Sequence, residues 1–215
     1  ANLNIPIGLI QCANGNTVID AFLPAIKIGN QNYPQGGVYT WLKNIQPYAI
    51  RGVIWYQGES DAIKSRSNFD YGVVFAALIE SWRKDWGQGD FPFLFVQLPR
   101  IGLDSELIRT GKPPTAEQRE ISSYWSNLRE KQRKVLEKVP NTAMAVYYEK
   151  TTGVIHPPEK IFAGERLALA ARATVYGEKI EYSGPQLVSA TLEKDKIILS
   201  FSHAEGLTSR DGELR

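Results

Sequence analysis

The sequence predicts an α/β fold, doubly wound around a largely parallel sheet. Three observations carry that expectation. Short apolar runs of strand length recur along the 215 residues, and amphipathic stretches with a helical repeat lie between them. The alternation of the two implies right-handed crossovers that place helices on both faces of a sheet.

Ile5 to Cys12, Ile50 to Tyr56 and Phe91 to Leu98 are near-continuous apolar runs, the pattern of strands buried on both sides; Ala143 to Tyr148 is a weaker fourth. Between the second and third runs, Phe75, Leu78, Ile79, Trp82 and Trp86 fall on one helical face, which Gly87 and Gly89 end. Thr115 and Gln118 form a capping box for the next helix. Its apolar stripe, Ile121, Trp125, Leu128, Val135 and Val139, with Gln132 on the same face, stops at Pro140. A last helix is expected over Glu159 to Tyr176, entered through Pro157 and Pro158 and closed by Gly177. Its alanines, Ala168, Ala171 and Ala173 among them, allow close packing.

Past Gly184 and Pro185 the pattern changes. Leu187 to Leu192 and Lys196 to Phe201 flank Glu193, Lys194 and Asp195 as an antiparallel hairpin would. One hairpin is marginal alone, so residues 183–215 are expected to open a β domain that the chain cuts short, after a first domain spanning 1–182. The strand-like start directly after Ala1 carries the matching expectation that the chain begins within a fold, with any targeting segment upstream.

Composition narrows the chemistry. A formal charge of +2, from 25 basic and 23 acidic residues, leaves no electrostatic footprint for nucleic acid or an anionic membrane. No apolar run approaches the ~20 residues of a membrane helix. One cysteine, Cys12, and two histidines, His156 and His203, are too few for a Cys/His zinc site, so metal chemistry would need carboxylates; neither metal nor cofactor is expected.

In an open parallel sheet, ligands bind beyond the carboxyl ends of the strands. Four polar segments follow the four runs: Ala13 to Thr17, Gln57 to Asp61, Gln97 to Arg100, and Glu149 to His156. His156 is the natural general base, since an imidazole titrates near pH ~6.5; the plainer reading is a surface histidine near a helix start. Glu149 is placed to turn back, accept from that imidazole and fix its tautomer, or else is a solvated carboxylate. Gly15 lets the backbone approach a ligand and aims an amide at developing negative charge, with Gln57 or Asn14 as a side-chain donor; a tight turn explains Gly15 equally well. Gln57 and Glu59, at the edge of a hydrophobic strand, also suit a buried hydrogen-bond network. Gly58 to Ala62 approaches a G-x-S-x-G nucleophile elbow but ends in Ala62, and no strong helix is expected immediately after it, which argues against Ser60 as nucleophile. Cys12 sits at an apolar strand end with no base beside it in sequence.

Three stretches give the chain a family likeness: Ile5 to Ile10 followed by Asn14 to Thr17; Gly52 to Asp61; and Ile155, His156, Pro157 with Lys160, Gly164 and Arg166 to Ala170. In them the chain resembles the carbohydrate esterases of the sialate O-acetylesterase family, within the SGNH hydrolase group. The resemblance implies a flavodoxin-like three-layer α/β/α domain followed by the start of a β-sandwich domain. It also implies removal of acetyl groups from sugar hydroxyls, most familiarly those of sialic acid, and a secreted or periplasmic home. By the same resemblance His156 is the base, Gly15 an oxyanion donor and Gln57 a second donor; Glu149 stands nearest to where the family has Asp. The family's serine lies in a Gly-Gln-Ser-Asn type motif, which does not occur in these 215 residues. The expectation is therefore a chain inactive alone, whose nucleophile comes from a missing N-terminal segment or companion chain docked on the open sheet edge. Acetylxylan or another polysaccharide is the alternative substrate, with Tyr33, Tyr39 and Trp41 as sugar-stacking aromatics, although packing suits Trp41 as well. A catalytically silent carbohydrate-binding protein is the non-enzymatic alternative.

Overall fold

A computed structural model describes residues 5–46, 48–63, 66, 69–101, 111–148 and 157–208. A parallel sheet runs β3 (Val53–Trp55), β4 (Phe93–Gln97), β5 (Thr142–Val146), in that order. Side chains alternate across β4. Phe93 and Phe95 enter the large core beside Trp55 and Phe75, whereas Leu94 and Val96 face the opposite side. Helices α3 (Tyr71–Trp86) and α4 (Ala116–Val135) supply the first side, and α5 (Ile161–Thr174) covers the second with Ala163 and Ala170. The result is a three-layer α/β arrangement, followed in sequence by antiparallel strands.

Helix α3 starts at Asp70, whose carboxylate accepts from the amides of Gly72 and Val73 at 2.9 and 3.3 Å. It ends at Gly87, whose φ of 64° needs the left-handed freedom of glycine. All five of the expected apolar positions are buried, each such side chain contributing about 2 kcal/mol. Helix α4 carries the expected capping box in both directions, with Thr115 N to Gln118 Oε1 at 2.7 Å and Gln118 N to Thr115 Oγ1 at 3.2 Å. It ends at Val135, four residues before the expected stop, though the Val139 amide still bonds the Val135 carbonyl at 2.9 Å and Val139 stays buried.

Arg83 joins the amino ends of two strands. Its guanidinium donates to the carbonyl of Phe91 at 2.8 Å and to those of Pro140 and Asn141 at 2.9 and 3.1 Å. Burial pulls its pKa below the ordinary arginine value.

Several expectations need correction. Ile5 to Cys12 is not a strand: Ile5, Ile7, Leu9 and Ile10 are exposed, and only Cys12 packs against the core. A strand exists only when its backbone groups find a ladder, and among the described residues β3 pairs with β4 alone. In α5, Ala163 and Ala170 are buried and Ala171 packs against the core as expected, whereas Ala168 faces solvent. The stretch from Ile19 to Ile45 also holds structure that its apolar pattern did not announce. A 3-10 turn at Ile19–Phe22 leads to a short antiparallel pair, β1 (Ile26–Ile28) and β2 (Gln31–Tyr33), and then to helix α1 (Gly37–Ile45). Strands of three residues are too short to show a period.

The hairpin forms as expected from β6 (Gln186–Glu193) and β7 (Lys196–Ser202), turning through Lys194 in a left-handed conformation. Every residue of both strands is exposed. At its end His203 Nδ1 lies 2.7 Å from Glu181 Oε1.

Candidate active site

The carboxyl ends of β3, β4 and β5 lie on one side of the sheet, as a common rim, and there Gln132 bridges the segments that follow β3 and β4. Immediately after β3, Gln57 turns into the core. Its amide nitrogen donates to the Thr17 carbonyl at 3.0 Å and to Asp61 Oδ2 at 2.6 Å, while its amide oxygen accepts from the Tyr71 hydroxyl at 3.0 Å. Both amide hydrogens are thus engaged.

Asp61 is the centre of this network. The fully buried carboxylate accepts from the Ile19 amide at 2.9 Å and from Arg66 at 2.5 Å, and Arg66 reaches on to Asp20 at 2.8 Å. Burial pushes the Asp61 carboxyl above its ordinary range, against the pull of Gln57, Ile19 and Arg66. One short segment, Gln57 to Asp61, therefore ties the loop that carries Gly15 to the end of β3.

That loop is a tight turn closed by Thr17, whose hydroxyl lies 2.5 Å from the Asn14 carbonyl and 2.9 Å from that of Gly15. The left-handed residue in it is Asn16, at φ 55°. A Cβ added at Gly15 meets nothing within 4 Å. Turn geometry thus rests on Asn16, and Gly15 leaves open space above its backbone.

Gly58 does have a conformational task. Its φ is 142°, and a Cβ there would stand 3.1 Å from Leu128 and 3.2 Å from Leu98. It starts the five-residue helix α2 (Glu59–Ile63), which includes the nearly buried Ser60. The Gly58 to Ala62 run itself winds into this short helix, the Gly58 carbonyl accepting from the Ala62 amide at 2.8 Å.

Glu59 is half-buried on the same rim, close enough to Tyr56 and Lys160 to act on both electrostatically. Lys160 Nζ donates to the Tyr56 hydroxyl at 3.0 Å and lies 4.2 Å from the centre of that ring. Gln132, fully buried on α4, braces the floor by donating to the Gln57 carbonyl at 3.2 Å and accepting from the Leu98 amide at 2.9 Å.

His156 and Glu149 lie outside the described residues. Gly15, Gln57 and Glu59 lie within them, and Gln57 links the Gly15 loop to the strand end that carries Glu59. Asp61, Arg66, Tyr71 and Gln132 went unassigned in the sequence. Their one signal was position: Asp61 closes the polar run after β3, and Gln132 is a polar residue on an otherwise apolar stripe. Tyr33 and Tyr39 are buried in the core and Trp41 is half-exposed, so of the three only Trp41 offers a face to a sugar. Burial raises the pKa of the Cys12 thiol, which keeps it protonated and a poor nucleophile. Among the described residues no three His, Cys, Asp or Glu gather as metal ligands, and no helix is long and apolar enough to cross a membrane.

Residues 1–157 match the family model of carbohydrate esterases described as sialic acid-specific acetylesterases. The chain belongs to this family. Human sialate O-acetylesterase is 32% identical over 232 residues, which cover 94% of this chain and 42% of the human protein. Mouse sialate O-acetylesterase is 38% identical over 154 residues, covering 66% of this chain and 26% of the relative. A crystal structure of a carbohydrate acetylesterase from Xanthomonas citri superposes with a TM-score of 0.71 at 35% identity, over 87% of this chain and 41% of that one. The chain thus spans less than half the length of these relatives. As a member of the sialic acid-specific acetylesterase family it carries the fold expected from its sequence, and the family match includes every residue of the candidate site up to Pro157.

Proposed function

We propose that this chain is part of a carbohydrate O-acetylesterase that removes acetyl groups from sugar hydroxyls, sialic acid first among them. The observation that carries the reading is the family match across residues 1–157, which covers the braced rim of Gly15, Gln57 and Glu59. In this reading a serine attacks the acetyl carbonyl, His156 takes the serine proton and gives it to the departing sugar oxygen, water then hydrolyses the acetyl-serine to acetate with His156 again as base, and Glu149 holds the imidazole. The Gly15 amide meets the oxyanion, where open space above the backbone suits a close approach. Gln57 serves by fixing the Gly15 loop through Thr17. It donates to the oxyanion as well only by releasing that carbonyl.

The nucleophile is proposed to come from polypeptide outside these 215 residues, because the family's Gly-Gln-Ser-Asn type motif is absent from them. The free edge of β3 supports this placement. Ile54 there is 67% exposed, and beside it stands no strand among the described residues.

The test is hydrolysis of acetylated sialic acid and acetylated xylan by the natural full-length protein, its His156→Ala variant and the 215-residue chain. Turnover by the full-length protein, a loss of about a thousandfold or more in the variant and an inert short chain are expected. Full activity of the short chain overturns the external serine; undiminished activity of the variant overturns His156 as base.

A further inference from the structure

We infer that Arg100, Arg129 and Tyr148 form a subsite for the carboxylate of an acidic sugar, at the carboxyl ends of β4 and β5. The inference rests on the esterase reading for its substrate class. Its evidence is separate.

The two guanidinium groups converge on one aromatic ring. Arg100 lies 5.8 Å and Arg129 5.2 Å from the centre of the Tyr148 ring, which is half-exposed. Topology brings them together: Gln97 pairs with Val146 in register, so the residues just past each strand end are neighbours on the rim. Arg129 reaches over from α4 and is held in place, donating to the Leu98 carbonyl and, at 3.0 Å, to Gln97 Oε1. Those bonds use two of its five N–H groups.

Among the described residues no carboxylate pairs with either arginine. Two like charges gathered on one ring repel each other, and a bound anion relieves that repulsion. Arginine is also the side chain whose planar donors match a carboxylate. The ring gives the cations a platform that leaves N–H groups for a ligand.

The subsite adjoins the candidate active site through direct contacts. Arg129 sits one turn from Gln132 on α4, and Gln132 bonds both the Gln57 carbonyl and the Leu98 amide. A sugar whose carboxylate is held at Arg100 and Arg129 therefore lies on the rim that Gln57 and Gly15 share. An uncharged xylan chain offers these guanidiniums only neutral oxygen acceptors, without the charge that strengthens such bonds, so the subsite favours acidic over neutral sugars.

Binding of free N-acetylneuraminic acid and of its C1 methyl ester to the full-length protein, followed by calorimetric titration, tests this without any hydrolysis. The acid is expected to bind about tenfold or more tightly than the ester, as charge-assisted hydrogen bonds require, and the advantage is expected to shrink with salt. Arg100→Gln is expected to abolish the difference and Arg100→Lys to keep part of it. Equal binding of acid and ester, no binding of either at millimolar concentration, or a difference that survives Arg100→Gln overturns the subsite. Failure of the esterase reading shows elsewhere, as absent turnover of every acetyl ester, and leaves this titration unaffected.

Discussion

Gln57 and Asp61, four residues apart, are joined by a 2.6 Å hydrogen bond from the amide nitrogen to the carboxylate, and through it the end of β3 is locked to the loop that carries Gly15. Asp61→Ala strips the acceptor from Gln57, the Ile19 amide and Arg66 at once. A loss of about 3 kcal/mol is expected, since one partner of a buried charge network is removed. Urea denaturation of the variant beside the parent measures it.

Gly58→Ala places a methyl group against Leu98 and Leu128 on a backbone that L residues rarely adopt. The expected cost is about 2 kcal/mol from conformational strain and overpacking together. A midpoint of unfolding equal to that of the parent would contradict the geometry at this turn.

Gly15→Ala separates stability from function. The added methyl meets nothing within 4 Å and the backbone there is not left-handed, so stability is expected to change by less than about 0.5 kcal/mol. In the full-length protein, acetyl-ester turnover is expected to fall about tenfold as the methyl group obstructs approach to the amide. Unchanged turnover would remove Gly15 from the oxyanion role.

Arg83→Met takes the guanidinium donor from the carbonyls of Phe91, Pro140 and Asn141, of which Asn141 keeps the Phe93 amide at 3.0 Å. About 3 kcal/mol of stability is expected to go with them, and Arg83→Lys is expected to recover part. Hydrogen exchange supplies the readout: the amides at the starts of β4 and β5 lose protection in the methionine variant.

Glu130 is held below the ordinary carboxylate range by the hydrogen bond from Arg133, with the charges of Arg133 and Lys134 adding to it. A depressed folded value means that the contribution is present above the unfolded value and lost as pH falls through the folded one. The side chain is half-exposed, so the effect is under about 0.5 kcal/mol. Glu130→Gln is expected to unfold slightly earlier than the parent at neutral pH, with the gap closing once pH falls below the ordinary carboxylate range; thermal unfolding at neutral and at acid pH checks it.

Much of the scaffold was legible in the chain because its signals are local. The Thr115 and Gln118 pair, the apolar face ending at Gly87 and the runs around Val53, Phe93 and Ala143 each depend on residues a few positions apart. Ile5 to Cys12 reads the same way and yet forms no strand, because an apolar run states a capacity for pairing and only a neighbouring strand realises it. The short β1 and β2 and the turn before them carry no period to read.

The sequence by itself determined the α/β class, the principal helices and their caps, and the motifs that mark the family, since these follow from side-chain pattern and backbone preference over short spans. Tertiary structure alone decided that Asp61 binds Gln57, Ile19 and Arg66 together, and that Arg100 and Arg129 meet on Tyr148. Ile19 stands 42 residues from Asp61, and Arg100, Arg129 and Tyr148 come from three separate segments, so no local pattern could bring them together. Their energies exist only once folding removes the water between them.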